Sequence, residues 1–220
     1  MCSLRTIILD IITLLIIKNK IDENFFHVGC GPQKKSQIKG FNNDSWKEIR
    51  FDIDINVNPD IVGTLTDMSL VKTGSMDAVY SSHNIEHIFP HEVPIALKEF
   101  YRVLKDDGIV VITCPDLQSV CEAVVKDKLL ETLYETQEGH KISPVDILYG
   151  WRLPIAEGNE YMAHKNGFTY SVLNTAFFEA GFKARYGGSR PEFWDLFLVA
   201  FKQKKSEEEI KIIANPFFPS

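Results

Sequence analysis

The sequence has few cysteines, and none of them form a closely spaced pair. Its four cysteines, Cys2, Cys30, Cys114 and Cys121, contain no CxxC motif. Structural zinc sites and dithiol redox sites usually need such spacing, and disulfide frameworks are typical of short secreted chains. We therefore expect free thiols in a reducing compartment, which favours a cytoplasmic protein without a disulfide framework or a metal site.

The sequence also lacks an excess of positive charge. Lys and Arg number 24 against 30 Asp and Glu, which gives a formal net charge of -6 and a pI of about 5.5. A surface that binds phosphate backbones needs clustered cations, because much of its affinity comes from counterion release. The composition therefore argues against nucleic acid as a partner.

No apolar run is long enough for a membrane span. The longest, Leu4–Ile17, covers 14 residues and is interrupted by Asp10, whereas a spanning helix needs roughly 20 residues. No small-residue cleavage site follows it before the first glycines. We interpret residues 1–20 as an apolar helix that docks on the core, with peripheral membrane contact as the alternative.

The chain does contain enough apolar material for one α/β domain, since 45% of its 220 residues are hydrophobic. Strand patterns alternate with helical ones, which predicts a mainly parallel sheet with helices on both faces and ligands beyond the carboxyl ends of its strands. We expect a single domain over 1–204, an insertion or lid at 134–166, and a partly disordered tail at 205–220. The predicted strands are 24–28, 48–53, 60–63, 76–81, 109–114 and 193–201, and the predicted helices are 92–104, 117–133 and 173–180.

A glycine loop follows the first predicted strand. In Val28-Gly29-Cys30-Gly31-Pro32, the first glycine permits a tight turn and the second lets backbone approach a ligand closely. The third glycine of a dinucleotide fingerprint is missing, because Lys34 stands there. A nicotinamide cofactor is therefore disfavoured.

An acidic residue ends the second predicted strand. Asp52 lies about 20 residues beyond the loop, where a carboxylate accepts hydrogen bonds from ribose hydroxyls. Asp54 competes for the same role. The alternative for both is an ordinary solvated carboxylate at a strand end.

Together these motifs resemble the class I S-adenosylmethionine-dependent methyltransferases, particularly small bacterial-type members, over roughly 25–116. The segments that carry the resemblance are Phe26-His27-Val28-Gly29-Cys30-Gly31, Phe51-Asp52-Ile53-Asp54, Asp77-Ala78-Val79-Tyr80-Ser81-Ser82-His83 and Glu99-Phe100-Tyr101-Arg102-Val103-Leu104-Lys105-Asp106-Asp107-Gly108, with weaker similarity in Gly167-Phe168-Thr169 and Glu179-Ala180-Gly181-Phe182. The resemblance implies a Rossmann-like, doubly wound sheet of seven strands and S-adenosylmethionine as the cofactor.

The resemblance also implies roles for individual residues. Gly29 and Gly31 would pass under the methionine part of the cofactor, Asp52 would hold its ribose, and Ser82 and His83 would border the methionine end and the substrate. The segment 64–67 would face the adenine, although Thr64 stands where many relatives have an acid. The cofactor-binding set is His27, Gly29, Cys30, Gly31, Asp52, Ile53, Leu65, Thr66, Asp67 and Ser82.

A zinc-protease pattern, H-x-x-E-H, is present at 83–87. That motif needs its two histidines on one continuous helix, with the glutamate as base and a third ligand downstream. Here it follows a strand and Pro90 comes soon after, so we disfavour the protease.

Methyl transfer from a sulfonium depends mainly on positioning, and a hydroxyl or ammonium acceptor must also lose a proton. A neutral histidine suits that task, and His83, His87 and His164 are the catalytic candidates. Ser81-Ser82-His83-Asn84 stands in place of an Asn-Pro-Pro-Tyr signature, which favours a small-molecule, sugar or lipid-linked acceptor over a nucleobase or glutamine amide. The alternative function is a non-catalytic module that binds the cofactor or a partner protein.

Overall fold

A computed structural model of the protein describes residues 23–136 and 139–218. The predicted N-terminal helix at 1–20 lies outside these ranges. Seven strands form one sheet, and they are β1 Glu23–Val28, β2 Trp46–Asp52, β3 Ile61–Val62, β4 Met76–Ser82, β5 Leu104–Pro115, β8 Ala184–Arg190 and β9 Asp195–Phe201. A separate hairpin contains β6 Tyr134–Glu135 and β7 Lys141–Ile142. The order in the sheet is β3-β2-β1-β4-β5-β9-β8, in which β1 to β5 are parallel and β9 runs antiparallel to both of its neighbours.

Six α-helices and five short 3-10 turns accompany the strands in the described residues. The α-helices are α1 Val93–Val103, α2 Leu117–Val125, α3 Pro144–Tyr149, α4 Arg152–Ala156, α5 Tyr170–Glu179 and α6 Glu207–Ala214. The 3-10 turns are Lys35–Gln37, Ile55–Val57, Ile85–His87, Glu160–Met162 and Asn215–Phe217. The seven-stranded, mainly parallel sheet predicted from the resemblance is confirmed.

Helix α1 shows why the central unit folds as predicted. A proline lies in its first turn, where the missing N–H is harmless, and Leu97 and Phe100 are fully buried on one face. The chain then passes directly into β5 at Leu104, so residues 105–108 extend the strand instead of forming a separate turn. Strand pairing shifts register between Met76 and Ala78 to admit this extension.

Among the later elements, one predicted helix has the wrong end and one strand was not predicted. Helix α2 ends at Val125 rather than near residue 133, and Asp127 soon after adopts a left-handed conformation with φ of 61°. The sequence pattern also missed β8, whose Gly187 and Gly188 weaken the strand signal. Strand β8 forms one edge of the sheet, and its pairing with β9 is what makes this segment a strand.

The C-terminal tail was expected to be partly disordered, but it forms α6 and a 3-10 turn against the sheet. Only a 3-10 turn lies between β1 and β2, and Phe41 from that segment stacks on Phe25 with ring centroids 4.4 Å apart. Phe217 packs on Phe41 at 4.8 Å and is buried. The tail therefore completes the core on this face of the sheet. No helix in the described ranges is long and apolar enough to cross a bilayer.

Candidate active site

A cavity of about 430 Å³ opens beyond the carboxyl ends of β1, β2 and β4. Its volume falls in the usual range for small-molecule and cofactor sites, roughly 300 to 1,000 Å³. Of the residues predicted from sequence, it is lined by Gly29, Gly31, Asp52, Ile53, Leu65, Thr66, His83 and His87. One cavity thus brings together most of the predicted cofactor residues and two of the three catalytic candidates.

The glycine loop needs its glycines for conformation and for space. Gly29 and Gly31 have φ of 65° and 48°, in the left-handed region that disfavours residues with a Cβ. A Cβ on Gly29 would lie 2.1 Å from Asn84 Nδ2, whereas one on Gly31 would meet no protein atom within 4 Å. Asn84 follows β4, so Gly29 allows the two strand-end loops to touch.

Asp52 is held firmly at the edge of the cavity. Its Oδ2 accepts the N–H of Gly31 at 2.8 Å, and its Oδ1 accepts the N–H of Asp54 at 2.9 Å. A carboxylate has about four acceptor sites, so both oxygens retain capacity for ligand hydroxyls. This geometry suits the predicted ribose contact.

A buried arginine beneath the loop was not identified from the sequence. Arg50 is 6% exposed and donates to the carbonyls of Val57 at 3.0 Å, Asn58 at 2.8 Å and Gly31. One guanidinium thereby ties the glycine loop to the loop between β2 and β3. The pattern Glu48-Ile49-Arg50-Phe51 signals a strand, and nothing in it reveals which backbone carbonyls meet the side chain.

Only part of the segment 64–67, which the resemblance places at the adenine, lines the cavity. Thr64, Leu65 and Thr66 line the cavity. Asp67 lies outside the lining, and its Oδ1 accepts the N–H of Ser69 at 2.9 Å. Hydrogen bonds from Ser69 hold the pKa of Asp67 below its ordinary value.

Three other predicted cofactor residues lie behind the cavity wall. His27 is 1% exposed, and its Nδ1 lies 2.7 Å from Glu48 Oε1; burial lowers its pKa. Burial raises the pKa of the Cys30 thiol to about 11. The Ser82 hydroxyl pairs with Thr113 Oγ1 at 2.7 Å. None of the three residues lines the cavity.

His83 lies between two carboxylates at the opposite wall. Its Nδ1 is 3.6 Å from Glu86 Oε1, and its Nε2 is 3.6 Å from Asp195 Oδ2. Burial by itself lowers the pKa of His83, but Asp195 and Glu86 outweigh it and raise the pKa to about 9. Asp195 begins β9, and because β9 is antiparallel its first residue lies at the carboxyl edge of β5.

His87 and His164 meet side by side, with ring centroids 4.8 Å apart. His87 lines the cavity, whereas His164 does not. The Nδ1 of His87 lies 3.2 Å from the carbonyl oxygen of Ala163, and that of His164 lies 2.7 Å from the carbonyl oxygen of Ile147. Burial lowers the pKa of His164.

The H-x-x-E-H pattern does not form a zinc-protease helix. Ile85–His87 is a single 3-10 turn, and His83 precedes it with φ of 48°. The two histidines of the pattern therefore do not share one helix face, as that motif requires.

The insertion supplies the remaining wall of the cavity. Its contributors are Asn159, Tyr161, Met162 and Lys165. Tyr161 is an aromatic residue of this insertion, whereas Phe168, just beyond its end, is buried in the core. Sequence patterns could not single out Asn159 or Met162, since neither occurs in a motif.

Residues 27–112 match the family described as a methyltransferase domain. This part of the chain belongs to a class I methyltransferase domain. Its cofactor is therefore S-adenosylmethionine, and the catalysed reaction is methyl transfer. No curated protein matches the sequence significantly.

Solved structures share the fold of this methyltransferase at low sequence identity. A protein from Pyrococcus horikoshii OT3 is 15% identical with a TM-score of 0.53, and the alignment covers 92% of this chain and 93% of that one. A SAM-dependent methyltransferase from Methanosarcina mazei is 15% identical with a TM-score of 0.53, covering 86% and 98%. A SAM-dependent methyltransferase from Archaeoglobus fulgidus is 14% identical with a TM-score of 0.51, covering 90% and 94%.

The residues present fit this cofactor. The glycine at position 29 leaves no side chain between the loop and Asn84, Asp52 offers acceptors at the cavity edge, and Leu65 and Thr66 line the same cavity. The cavity has an apolar and a polar lining, as expected for a nucleoside with a charged tail.

Proposed function

We propose that the protein transfers the methyl group of S-adenosylmethionine to a small-molecule, sugar or lipid-linked acceptor that enters between the turn after β4 and the insertion. The observation that carries the proposal is the shared cavity. Gly29, Gly31 and Asp52 line one side of it, while His83 and His87 line the other.

In this proposal the side of the cavity near β1 to β3 holds the cofactor. Asp52 binds the ribose hydroxyls with the acceptor capacity left by its two backbone contacts. Leu65 and Thr66 contact the adenine, and Gly31 passes beneath the methionine part. Arg50 is a positioning residue, because it holds the Gly31 carbonyl and the next loop in one arrangement.

The other side of the cavity receives the acceptor. Phe89, Tyr161 and Met162 offer apolar surface there, and Glu92 and Lys165 offer charge. Lys165 Nζ lies 5.1 Å above the Phe89 ring, which links the insertion to the turn after β4. Such a mixed wall suits an acceptor with both apolar and hydroxyl groups, and the insertion serves as a lid that excludes water.

The bound cofactor supplies an already activated methyl group. The protein's own residues align the acceptor with it and favour loss of the acceptor proton. We assign that second task to His87, which reaches the cavity, with His164 beside it. His83 also reaches the cavity, but its raised pKa keeps it protonated near pH 7, so it offers positive charge there and does not serve as the base. We also propose that the single domain extends beyond residue 204 and includes α6, which packs on the sheet.

The composition of the chain supports the proposed class of acceptor and a cytoplasmic location of the protein. The net charge of -6 offers no basis for binding a phosphate backbone. Cys30, Cys114 and Cys121 are free thiols, as expected in the reducing cytoplasm.

Calorimetric titration with S-adenosylmethionine and S-adenosylhomocysteine tests the proposal. We expect saturable binding of both, a loss of at least about tenfold in affinity for Asp52→Ala because a charge-assisted acceptor is removed, and no binding of NADH. Asp107→Ala is the matched control, since Asp107 is exposed at the start of β5. Absence of binding by either sulfur compound would overturn the proposal.

Transfer of labelled methyl groups to panels of small hydroxylated compounds, sugars and lipid-linked acceptors tests the second step. Label in any of these products supports the acceptor class. Retained cofactor binding without transfer to any panel would instead favour the non-catalytic binding module.

A further inference from the structure

Three metal-ligating side chains converge beside the acceptor end of the cavity. Glu86, His87 and His164 each place one ligand atom within 4.8 Å of the others. Glu86 and His87 come from the turn after β4, and His164 comes from the end of the insertion. Two imidazoles and one carboxylate are the donor set of many three-ligand metal centres.

Each imidazole has one ring nitrogen in a hydrogen bond to backbone and the other left for a metal. A backbone carbonyl only accepts hydrogen bonds, so the contacts from His87 to Ala163 and from His164 to Ile147 place the proton of each neutral ring on Nδ1. Each Nε2 then carries a free lone pair. Histidines that bind metals usually donate their other ring N–H to a carbonyl or carboxylate in this way.

The carboxylate is buried without the hydrogen bonds that burial normally demands. Glu86 is 1% exposed, and neither of its carboxylate oxygens has a hydrogen-bond partner among the described residues. Its contact with His83 Nδ1 is an ion pair at 3.6 Å. A buried carboxylate that accepts no hydrogen bond, and whose charged neighbour His83 lies at 3.6 Å, is costly and points to an ion or a water that satisfies its oxygens.

The backbone fixes the three donors relative to one another. The N–H groups of Lys165 and Asn166 both donate to the carbonyl oxygen of Glu86, at 2.8 and 3.1 Å. These bonds hold the residue after His164 against the turn that carries Glu86 and His87. The cluster is therefore built by two segments that are clamped together beside the donors.

We propose that Glu86, His87 and His164 bind a divalent transition-metal cation, with Zn²⁺ the best match, and that an open coordination position faces the acceptor end of the cavity. Nitrogen and carboxylate ligands bind Zn²⁺ at about 2.0 to 2.2 Å. Donor atoms around one such ion lie roughly 3 to 3.5 Å apart, so binding draws the present arrangement inward by about an ångström. His87 lines the cavity, which directs the open position there.

The role of the ion rests on the proposed function. A cation at this position would bind an acceptor oxygen and lower the pKa of its hydroxyl group, so that the proton leaves to solvent. The oxygen would then bond to the methyl carbon while the carbon–sulfur bond of S-adenosylmethionine breaks, and S-adenosylhomocysteine would leave with that electron pair. Glu86 is then a ligand and not the base of a protease, and His87 and His164 act through the ion. This arrangement differs from the H-x-x-E-H motif, because its third ligand is His164 and His83 is not a member.

Metal binding is tested on the full chain after chelator treatment, without cofactor or acceptor. We expect one equivalent of Zn²⁺ to bind saturably in calorimetry and to raise the melting temperature, with Mg²⁺ producing a smaller shift or none. Cobalt(II) should give visible absorption bands typical of nitrogen and oxygen ligands. His164→Ala and Glu86→Gln should each weaken Zn²⁺ binding at least about tenfold.

His91→Ala is the matched control, because His91 is exposed and its ring stacks on Phe89 away from the cluster; it should bind Zn²⁺ like the parent. Titration with S-adenosylmethionine checks that each variant remains folded. If Glu86→Gln does not fold, His164→Ala decides. The proposal is overturned if the parent shows no saturable binding of Zn²⁺, Mn²⁺ or Co²⁺, or if the ligand variants bind as the parent does. Because cofactor titration is separate, failure of the metal site is distinguishable from failure of the methyltransferase proposal.

Discussion

The two ends of the cavity are built in different ways. At the cofactor end, Gly31 and Asp52 are 21 residues apart and join through a direct hydrogen bond between adjacent strand ends. At the acceptor end, His87 contacts Ala163, 76 residues away, through the insertion. The first end uses parallel strands and a glycine loop, whereas the second depends on an irregular segment returning to a 3-10 turn.

The difference predicts that the two ends of the cavity respond to different substitutions. A glycine loop and an acidic strand end can hold the same cofactor in many chains that share the fold, because backbone groups do much of the work. The acceptor end depends on side chains such as His164 and Tyr161 that an insertion supplies. Substitutions at the two ends should therefore have separable effects on cofactor binding and on acceptor chemistry.

The largest effect is expected from Gly29→Ala. The new Cβ would lie 2.1 Å from Asn84, and the residue would be held at φ of 65°, a strain of about 1 to 2 kcal/mol by itself. S-adenosylmethionine affinity should fall at least about tenfold in calorimetry, since each 1.4 kcal/mol is tenfold. Gly188→Ala in β8, where a Cβ meets nothing within 4 Å, should bind as the parent does.

The double variant Gly29→Ala with Asn84→Ala sharpens this test. It removes the side-chain clash and leaves the backbone strain. Partial recovery of affinity is expected, and full recovery would show that strain at position 29 contributes nothing.

Arg50→Lys should have the next largest effect. A lysine keeps the charge but lacks the planar fork that reaches three carbonyls from one group. Loss of hydrogen bonds to a buried charged group costs about 1.5 to 3 kcal/mol, measured as a lower free energy of unfolding in urea. Cofactor affinity should fall as well, because the Gly31 carbonyl loses its anchor. Unchanged affinity would contradict the positioning role.

Asp146→Asn tests how much a carboxylate in the insertion contributes to the stability of the fold, and at which pH. Burial alone raises the pKa of Asp146, but hydrogen bonds from Arg152 and Ser143 outweigh it and lower the pKa to about 2 from 3.8. The folded carboxyl therefore binds its proton less readily than the unfolded one. Its stabilisation is present above about pH 4 and disappears as the pH falls towards 2.

In urea denaturation at pH 7, Asp146→Asn should lower the free energy of unfolding by about 2 kcal/mol, and this difference should shrink between pH 4 and 2. Glu131→Gln is the control, since the Lys128–Glu131 ion pair is exposed on both sides and is worth roughly 0 to 1 kcal/mol. A pH-independent difference for Asp146→Asn would show that its ion pair does not carry the effect.

The smallest effect is expected from Asp67→Ala. Asp67 is not part of the cavity lining, and its carboxylate accepts the Ser69 N–H. S-adenosylmethionine affinity should change less than about twofold, which corresponds to well under 1 kcal/mol. A larger loss would return Asp67 to the adenine site that the family resemblance assigned to it.

Much of the central fold could be predicted from the sequence. The buried strands β1, β4 and β5 and helix α1 have apolar patterns that do not depend on distant partners. The predicted bounds of β1, β4 and α1 agree with the structure within one residue, whereas β5 begins at Leu104 instead of residue 109. Strand β8 lacks such a pattern, and α2 ends early at a left-handed residue. These elements depend on sheet pairing and local backbone geometry, which periodicity does not encode.

The residues of the site also separate into those that local sequence predicts and those that it does not. Gly29, Gly31 and Asp52 were predicted because turn conformation and strand-end position are local properties, and the cavity contains them. Arg50 and Asp195 were missed because their importance comes from the carbonyls and the histidine they meet. The aromatic insertion was recognised as a candidate lid, but its contacting residues were not.

The sequence by itself determined the class of fold, and it predicted the glycine loop and the strand-end carboxylate that line the cavity, since glycine conformation, strand burial and the carboxylate at a strand end follow from residue type and order. Only the tertiary structure decided that His87 and His164 face each other beside a buried Glu86. The physical reason is that this cluster joins segments far apart in sequence, and their meeting is fixed by backbone hydrogen bonds between the insertion and the turn after β4.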